Sequence, residues 1–212
     1  MGTATNRWRS DEHASAWLEM LPAVPHLDEA DAALLEWVPD EVDRFLDVGT
    51  GNGRLIALLL AARPGARAVG LDFSPVMLDA ARRRFADDGR VRIVEHDIDE
   101  PLPGLGPFSL VVSGLAIHHC PDARKREVYA EAFALLRPGG AFLNLEHVAS
   151  PTDRLHESFL GAVGVAPEED DPSNLLLDVD TQLRWLREIG FTDVDCHWKW
   201  REVALFGGVR PA

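Results

Sequence analysis

The chain has 212 residues, enough to bury a core and the size of a single domain. Hydrophobic residues make up 46% and charged residues 26%, which excludes the compositions of disordered chains. Against 21 lysines and arginines stand 35 acidic residues, a formal charge of -14, which repels polyanions and argues against non-specific binding to nucleic acid.

Two cysteines, Cys120 and Cys196, form no CxxC pair, so neither a disulfide framework nor a metal cluster is expected, and a reducing, cytoplasmic setting suits the chain. Met1 to Glu12 carries no apolar signal core, and the longest apolar run, Leu55 to Ala62, is too short to span a bilayer. Gly2 is followed at position 6 by Asn6, so the myristoylation pattern fails. The expectation is a chain that folds alone or as an oligomer such as a homodimer, with no membrane partner.

In chain order, Arg44 to Val48 is a short apolar run ending in a glycine-rich turn, and Arg54 to Ala62 reads as a buried helix closed by Pro64-Gly65. Arg67 to Leu71 is a second strand ending at Asp72. Ser74 then caps a helix with Pro75 at its first position and Met77, Leu78, Ala81 and Phe85 on one face. Val91 to Glu95 is a third strand and Phe108 to Ser113 a fourth. Asp122 to Leu136 is a helix stopped by Pro138-Gly139-Gly140, and Ala141 to His147 is a fifth strand. The triplets Arg82-Arg83-Arg84 and Arg124-Lys125-Arg126 fall on helices and read as solvated faces. From Ala149 to Asp178 the pattern lapses into an acidic, proline-containing stretch around a helix from Thr152 to Val163, an insertion expected to be mobile. Thr181 to Ile189 is a helix closed by Gly190. Thr192 to His197 and Glu202 to Phe206 are closing strands, with a frayed tail from Gly207. Strands alternating with helices imply an α/β fold with a mainly parallel sheet and helices on both faces.

Gly49, Gly51 and Gly53, straight after a strand and opening a helix, let backbone approach a ligand and aim N–H groups at it. The spacing is G-x-G-x-G. A dinucleotide fingerprint needs a glycine where this chain has Arg54, so a nicotinamide enzyme fits poorly. Asp72, ending the second strand, can accept hydrogen bonds from the two hydroxyls of a ribose.

Phe45-Leu46-Asp47-Val48-Gly49-Thr50-Gly51-Asn52-Gly53 and Gly70-Leu71-Asp72-Phe73-Ser74-Pro75 resemble the first two motifs of class I S-adenosylmethionine-dependent methyltransferases. Glu95-His96-Asp97-Ile98 resembles that family's adenine clamp, and Leu135-Leu136-Arg137-Pro138-Gly139-Gly140 its turn before the fifth strand. The matches run in family order from Phe45 to Glu146, about half of the chain. The resemblance implies a Rossmann-like, doubly wound sheet of seven strands. It divides the chain into a helical cap (1–43), a cofactor-binding core (44–148), an insertion or lid (149–178) and a closing helix and hairpin (179–212). It further implies S-adenosylmethionine as cofactor and S-adenosylhomocysteine as product. The methionine end would lie along Gly49 to Gly53 with Ser113 or Gly114 near its amine, ribose on Asp72, and adenine between Phe73 and Ile98 with its amine on Asp97. For Asp47, contact with the ligand and a structural cap on the glycine loop both stand.

Gly114-Leu115-Ala116-Ile117-His118-His119 resembles the fourth-strand motif of small-molecule methyltransferases, and the Asn-Pro-Pro-Tyr signature of many nucleic-acid and protein amino-group methyltransferases is absent. Transfer from a sulfonium needs alignment of the acceptor more than a protein nucleophile. For an O–H or N–H acceptor a base would help, and His118 and His119, past the carboxyl end of the fourth strand, are the catalytic candidates; the alternative reading is that one of them points into the core or pins the loop by a hydrogen bond. Trp8, Arg9, Trp17, Met20, Leu21 and Trp37 could form a lid with the insertion, or pack as ordinary helices. Thr181 to Phe191 also resembles carboxy-S-adenosylmethionine synthases, which supplies a rival function. A non-catalytic cofactor-binding regulatory subunit is another.

Overall fold

A computed structural model describes residue 8, residues 10–20 and residues 25–212. Gly2, Asn6, Arg9 and Leu21, and the side chains of Trp17 and Met20, lie outside the described residues. The helices are α1 (Asp11–Met20), α2 (Leu27–Trp37), α3 (Arg54–Ala62), α4 (Pro75–Arg84), α5 (Asp122–Leu135), α6 (Asp153–Val163) and α7 (Val179–Ile189). The strands are β1 (Arg44–Val48), β2 (Arg67–Asp72), β3 (Val91–Glu95), β4 (Phe108–Gly114), β5 (Leu136–His147), β6 (Thr192–Trp200) and β7 (Val203–Val209), hydrogen-bonded in the order β3-β2-β1-β4-β5-β7-β6.

Alternation along the central strands sends successive side chains to opposite faces. Phe45, Ala68, Leu110, Val112 and Leu143 pack under α2, α3 and α6, while Leu46, Val48, Val69, Leu71, Val111 and Phe142 pack under α5 and α7. Both faces are covered, which is why β1 and β4 are mostly apolar and do not alternate apolar with polar. The strand order turns back on itself between β1 and β4, which pair in parallel with Val48 beside Ser113. A crevice at the carboxyl ends of such a pair is where an open α/β sheet binds its ligand.

The sheet is mainly parallel as expected, through β3-β2-β1-β4-β5, but not purely so: β7 runs antiparallel to both β5 and β6. Only Arg201 and Glu202 separate β6 from β7, too few residues for a parallel crossover, so the hairpin places β7 inside and β6 at the edge.

Three local expectations also change. Pro138-Gly139-Gly140 does not precede β5 but lies inside it: Leu136 pairs with Phe108, the register then shifts, and Ala141 pairs with Leu110. The backbone N–H of Gly139 donates to the Arg210 carbonyl, and that of Arg210 to the Gly140 carbonyl, so the irregular segment is satisfied by the chain's end. Gly207 and Gly208 belong to β7, not to a frayed tail. A Cβ at Gly207 would overlap the Phe142 carbonyl oxygen, so glycine here marks close strand approach. Finally, of Arg124-Lys125-Arg126 only Arg126 is exposed as expected. Arg124 and Lys125 are buried; Arg124 donates to the carbonyls of Ile98 and Glu100 at 2.8 Å, and Lys125 to those of Cys120 and Leu175.

The insertion is tied down at several points. The Leu175 N–H donates to the His118 carbonyl and the Ala149 N–H to that of Leu177. On α6, His156 lies 3.1 Å from Glu202 and 3.3 Å from Asp170, bridging the sheet to the acidic stretch. No helix among the described residues is long and apolar enough to cross a membrane.

Candidate active site

A cleft enclosing about 1020 Å³, counted out to its open mouth, lies over the carboxyl ends of β1, β2 and β4. Its floor is the turn after β1. Gly49 has φ +72°, and a Cβ there would overlap that of Ala116, so the turn needs glycine for both conformation and space. The loop is then fixed by strand β2: Thr50 N–H donates to the Leu71 carbonyl, and Gly51 N–H donates to Oδ2 of Asp72 at 2.8 Å. The other Asp72 oxygen accepts the Ser74 N–H at 2.9 Å. A carboxylate offers about four acceptor sites, so Asp72 retains capacity for a ligand's hydroxyls on the cleft wall.

Asp47 is 1% exposed. Its Oδ2 accepts the Thr50 hydroxyl at 2.6 Å, while Oδ1 is buried with no partner. Burial pushes its carboxyl up to about 7, a group that costs energy to ionise until a donor arrives. Asp47 lines the cleft, and a ligand ammonium there would supply both the missing donor and the missing charge. The Ser74 hydroxyl, also on the wall, is a second buried group without a partner. These orphaned groups fit a ligand with a cation at one end and hydroxyls further along, as S-adenosylmethionine has.

Of the residues expected to bind the cofactor, Asp47, Gly49, Gly51, Asp72, Phe73 and Ile98 line this cleft. Three do not. Gly53 caps α3 where a Cβ would overlap the Phe85 ring, so it serves helix packing. Ser113 is buried, its hydroxyl donating to the Val48 carbonyl at 2.7 Å and so clasping β4 to β1. The Asp97 carboxylate accepts the Asp99 N–H at 3.1 Å in a turn, while His96, Ile98 and Asp99 form the wall.

The two histidines separate. His119 lines the cleft; His118 is buried behind it with the rings 3.9 Å apart. Nδ1 of His118 lies 2.5 Å from Oε1 of Glu146, an oxygen that also accepts the His147 N–H. Burial pushes the Glu146 carboxyl up to about 7 and holds the His118 imidazolium well below its ordinary range. His119 is oriented from both sides. Nδ1 sits 3.1 Å from the Ser173 carbonyl, which can only accept, so Nδ1 carries the proton and Nε2 accepts the Trp8 indole N–H at 2.7 Å. Burial, then the charge of His118, push its imidazolium down to about 3, so the ring is neutral at ordinary pH. Cys120 is also on the wall, but burial pushes its thiol up to about 12, leaving no thiolate.

Several participants carry no motif. Glu146 was detectable in principle, since Asn144 and Glu146 are polar residues two apart in an apolar strand and so share one buried face. Arg54, which lines the cleft, is paired with Asp31 of α2 at 2.5 Å. Nothing local in the sequence announces Ser173 or Asp31, and Trp8 stands out only as one of several large N-terminal residues.

A methyltransferase-domain family model matches residues 45–140. Demethylmenaquinone methyltransferase of Clavibacter sepedonicus is 30% identical over 187 residues, 80% of this chain and 74% of that protein. Carboxy-S-adenosyl-L-methionine synthase of Desulfotalea psychrophila is 23% identical over 215 residues, 90% of this chain and 85% of its own. Among solved structures, an O-methyltransferase family protein from Burkholderia thailandensis matches with a TM-score of 0.75 at 21% identity, a likeness of fold covering 97% of this chain and 62% of that one. The sequence relationship at 30% identity, running well beyond the glycine loop, settles the lineage: the chain is an enzyme of the class I S-adenosylmethionine-dependent methyltransferases, with S-adenosylmethionine as its cofactor.

Proposed function

We propose that this enzyme methylates a small-molecule acceptor at oxygen or nitrogen, with His119 receiving the acceptor's proton. One observation carries the reading: His119 stands on the wall of the cofactor cleft with Nδ1–H committed to Ser173, which makes Nε2 the accepting nitrogen, here engaged by the Trp8 indole N–H. S-adenosylmethionine, when bound, supplies an electrophilic methyl group on a leaving group that is already activated. The chain's own residues then align and deprotonate. Asp47 receives the methionine ammonium, Asp72 the ribose hydroxyls, and Phe73 and Ile98 flank the adenine. Asp99 stands closer to the role first given to Asp97, because it is Asp99 that lines the cleft. Gly53 and Ser113 shape the site from behind, and His118, held by Glu146, supports the ring of His119. Trp8 and Leu18 reach the acceptor side of the cleft, and Ser173 of the insertion holds His119 there.

The test is S-adenosylhomocysteine formation across phenols, amines, carboxylates and demethylmenaquinone. Turnover with an O–H or N–H acceptor, lost in His119→Gln, is the expected result. Turnover that survives this substitution unchanged removes His119 from the chemistry.

A second reading, synthesis of a carboxylated cofactor, is favoured by the similarity to the Desulfotalea synthase along 90% of the chain. Such chemistry calls for a cation facing the new carboxylate, and Arg54 on the cleft wall is already engaged by Asp31. Mass analysis of cofactor retained by the purified protein separates the two readings.

A further inference from the structure

The acceptor side of the cleft holds a group supplied by the chain itself. Trp8 lines the cavity together with Leu18 of α1, and its indole N–H donates to Nε2 of His119 at 2.7 Å. The ring stands edge-on to two imidazoles, 5.0 Å from His13 at 85° and 5.4 Å from His119 at 63°. His13 in turn lies 3.5 Å from the Asp171 carboxylate, which joins α1 to the insertion. The same cleft wall carries the apolar side chains of Leu102, Leu115 and Ala116. The indole is thus held by T-shaped contacts to two imidazoles and by a hydrogen bond to one of them.

We propose that Trp8 occupies the acceptor subsite, and that the natural acceptor is a planar aromatic molecule whose O–H or N–H replaces the indole N–H as donor to Nε2 of His119. The inference deepens the methyltransferase reading and rests on it. A donor to Nε2 is what a methylatable hydroxyl or amine must offer a neutral imidazole, and Trp8 offers the same group with the same ring geometry. The indole gives up its place as the acceptor enters. Binding of the acceptor and displacement of Trp8 then become one exchange, in which one N–H or O–H donor substitutes for another and His119 is never left unpaired.

Indole and 1-methylindole, titrated calorimetrically into the full chain and into Trp8→Ala, test this. The variant should bind indole about tenfold more tightly than the wild type, the factor expected if Trp8 fills the subsite about nine-tenths of the time. In the variant, 1-methylindole, which lacks the donor, should bind several-fold more weakly than indole, roughly the loss of one hydrogen bond. Equal indole affinity in the two proteins, or no preference for indole over its N-methyl form, would overturn the proposal. If the alanine variant does not fold, Trp8→Phe, which keeps a ring and loses the donor, must still bind indole more tightly than wild type, and equality overturns the proposal again. S-adenosylhomocysteine binding, measured in its own titration, reports on the cofactor site separately from the indole pair.

Discussion

On the β1–β2 side of the cleft, the ligand-facing groups come from residues 47–54 and from the strand end at Asp72, and backbone geometry holds them. On the β4–β5 side, His119, Ser173 and Trp8 meet from distant segments; Trp8 and His119 are 111 residues apart in sequence. The first side is a loop whose shape is written in consecutive residues. The second is an assembly that exists only after α1, the insertion and the sheet have come together. A site for an invariant cofactor can be built the first way, whereas one for a variable acceptor is assembled from segments that change without disturbing the loop.

Four substitutions sharpen or break this contrast. The largest effect belongs to Gly49→Val, which puts a branched side chain at φ +72° and into Ala116. Strain and overlap should cost about 2–4 kcal/mol of stability. Urea denaturation should show this, with S-adenosylhomocysteine binding abolished; near-normal cofactor binding would mean that the loop is not backbone-determined.

On the other side, His119→Gln should lower kcat by about 100-fold, the low end of general-base contributions, while leaving cofactor affinity intact. A loss confined to cofactor binding would erase the division between the two sides.

Asp47→Asn should separate stability from function. The folded chain keeps the Asp47 proton up to about 7, whereas the ordinary value is 3.8, so the wild type loses stability as pH rises from about 4 to 7. At pH 8 and without cofactor, the asparagine variant should be the more stable by about 1–3 kcal/mol, with no difference at pH 4. Cofactor affinity should nonetheless fall by about 10–100-fold, the worth of a charge-assisted hydrogen bond. Paired melts at the two pH values check the first half and titration the second.

The smallest effect is expected for Arg124→Met, which frees the Ile98 and Glu100 carbonyls from their buried donor. It should cost about 1–3 kcal/mol in denaturant melts and change kcat little, since the residue braces the cleft wall from outside.

Legibility in the sequence follows the same division. The seven strands, the glycine loop and Asp72 at the end of its strand were readable because apolar periodicity and turn chemistry are local signals, whereas Phe73 and Ile98 came only from the family resemblance. The mixed sheet was only half visible: both closing strands were expected, but a hairpin's order within a sheet depends on which edge is free. Arg124 and Lys125 were misread as a solvated face because what buries them is a set of carbonyls at Ile98, Glu100, Cys120 and Leu175, none adjacent in sequence. The two histidines were found as a pair, but only packing distinguishes the ring in the cleft from the ring behind it.

The ion pair between Asp31 and Arg54 crosses from α2 to the first residue of the helix that the glycine loop opens. Thermodynamic reciprocity then applies to the N-terminal helix and the cofactor: whatever factor the docked helix adds to cofactor affinity, the bound cofactor adds to the docking of the helix. Any factor by which breaking this pair weakens cofactor binding is therefore also the factor by which the bound cofactor strengthens the pair.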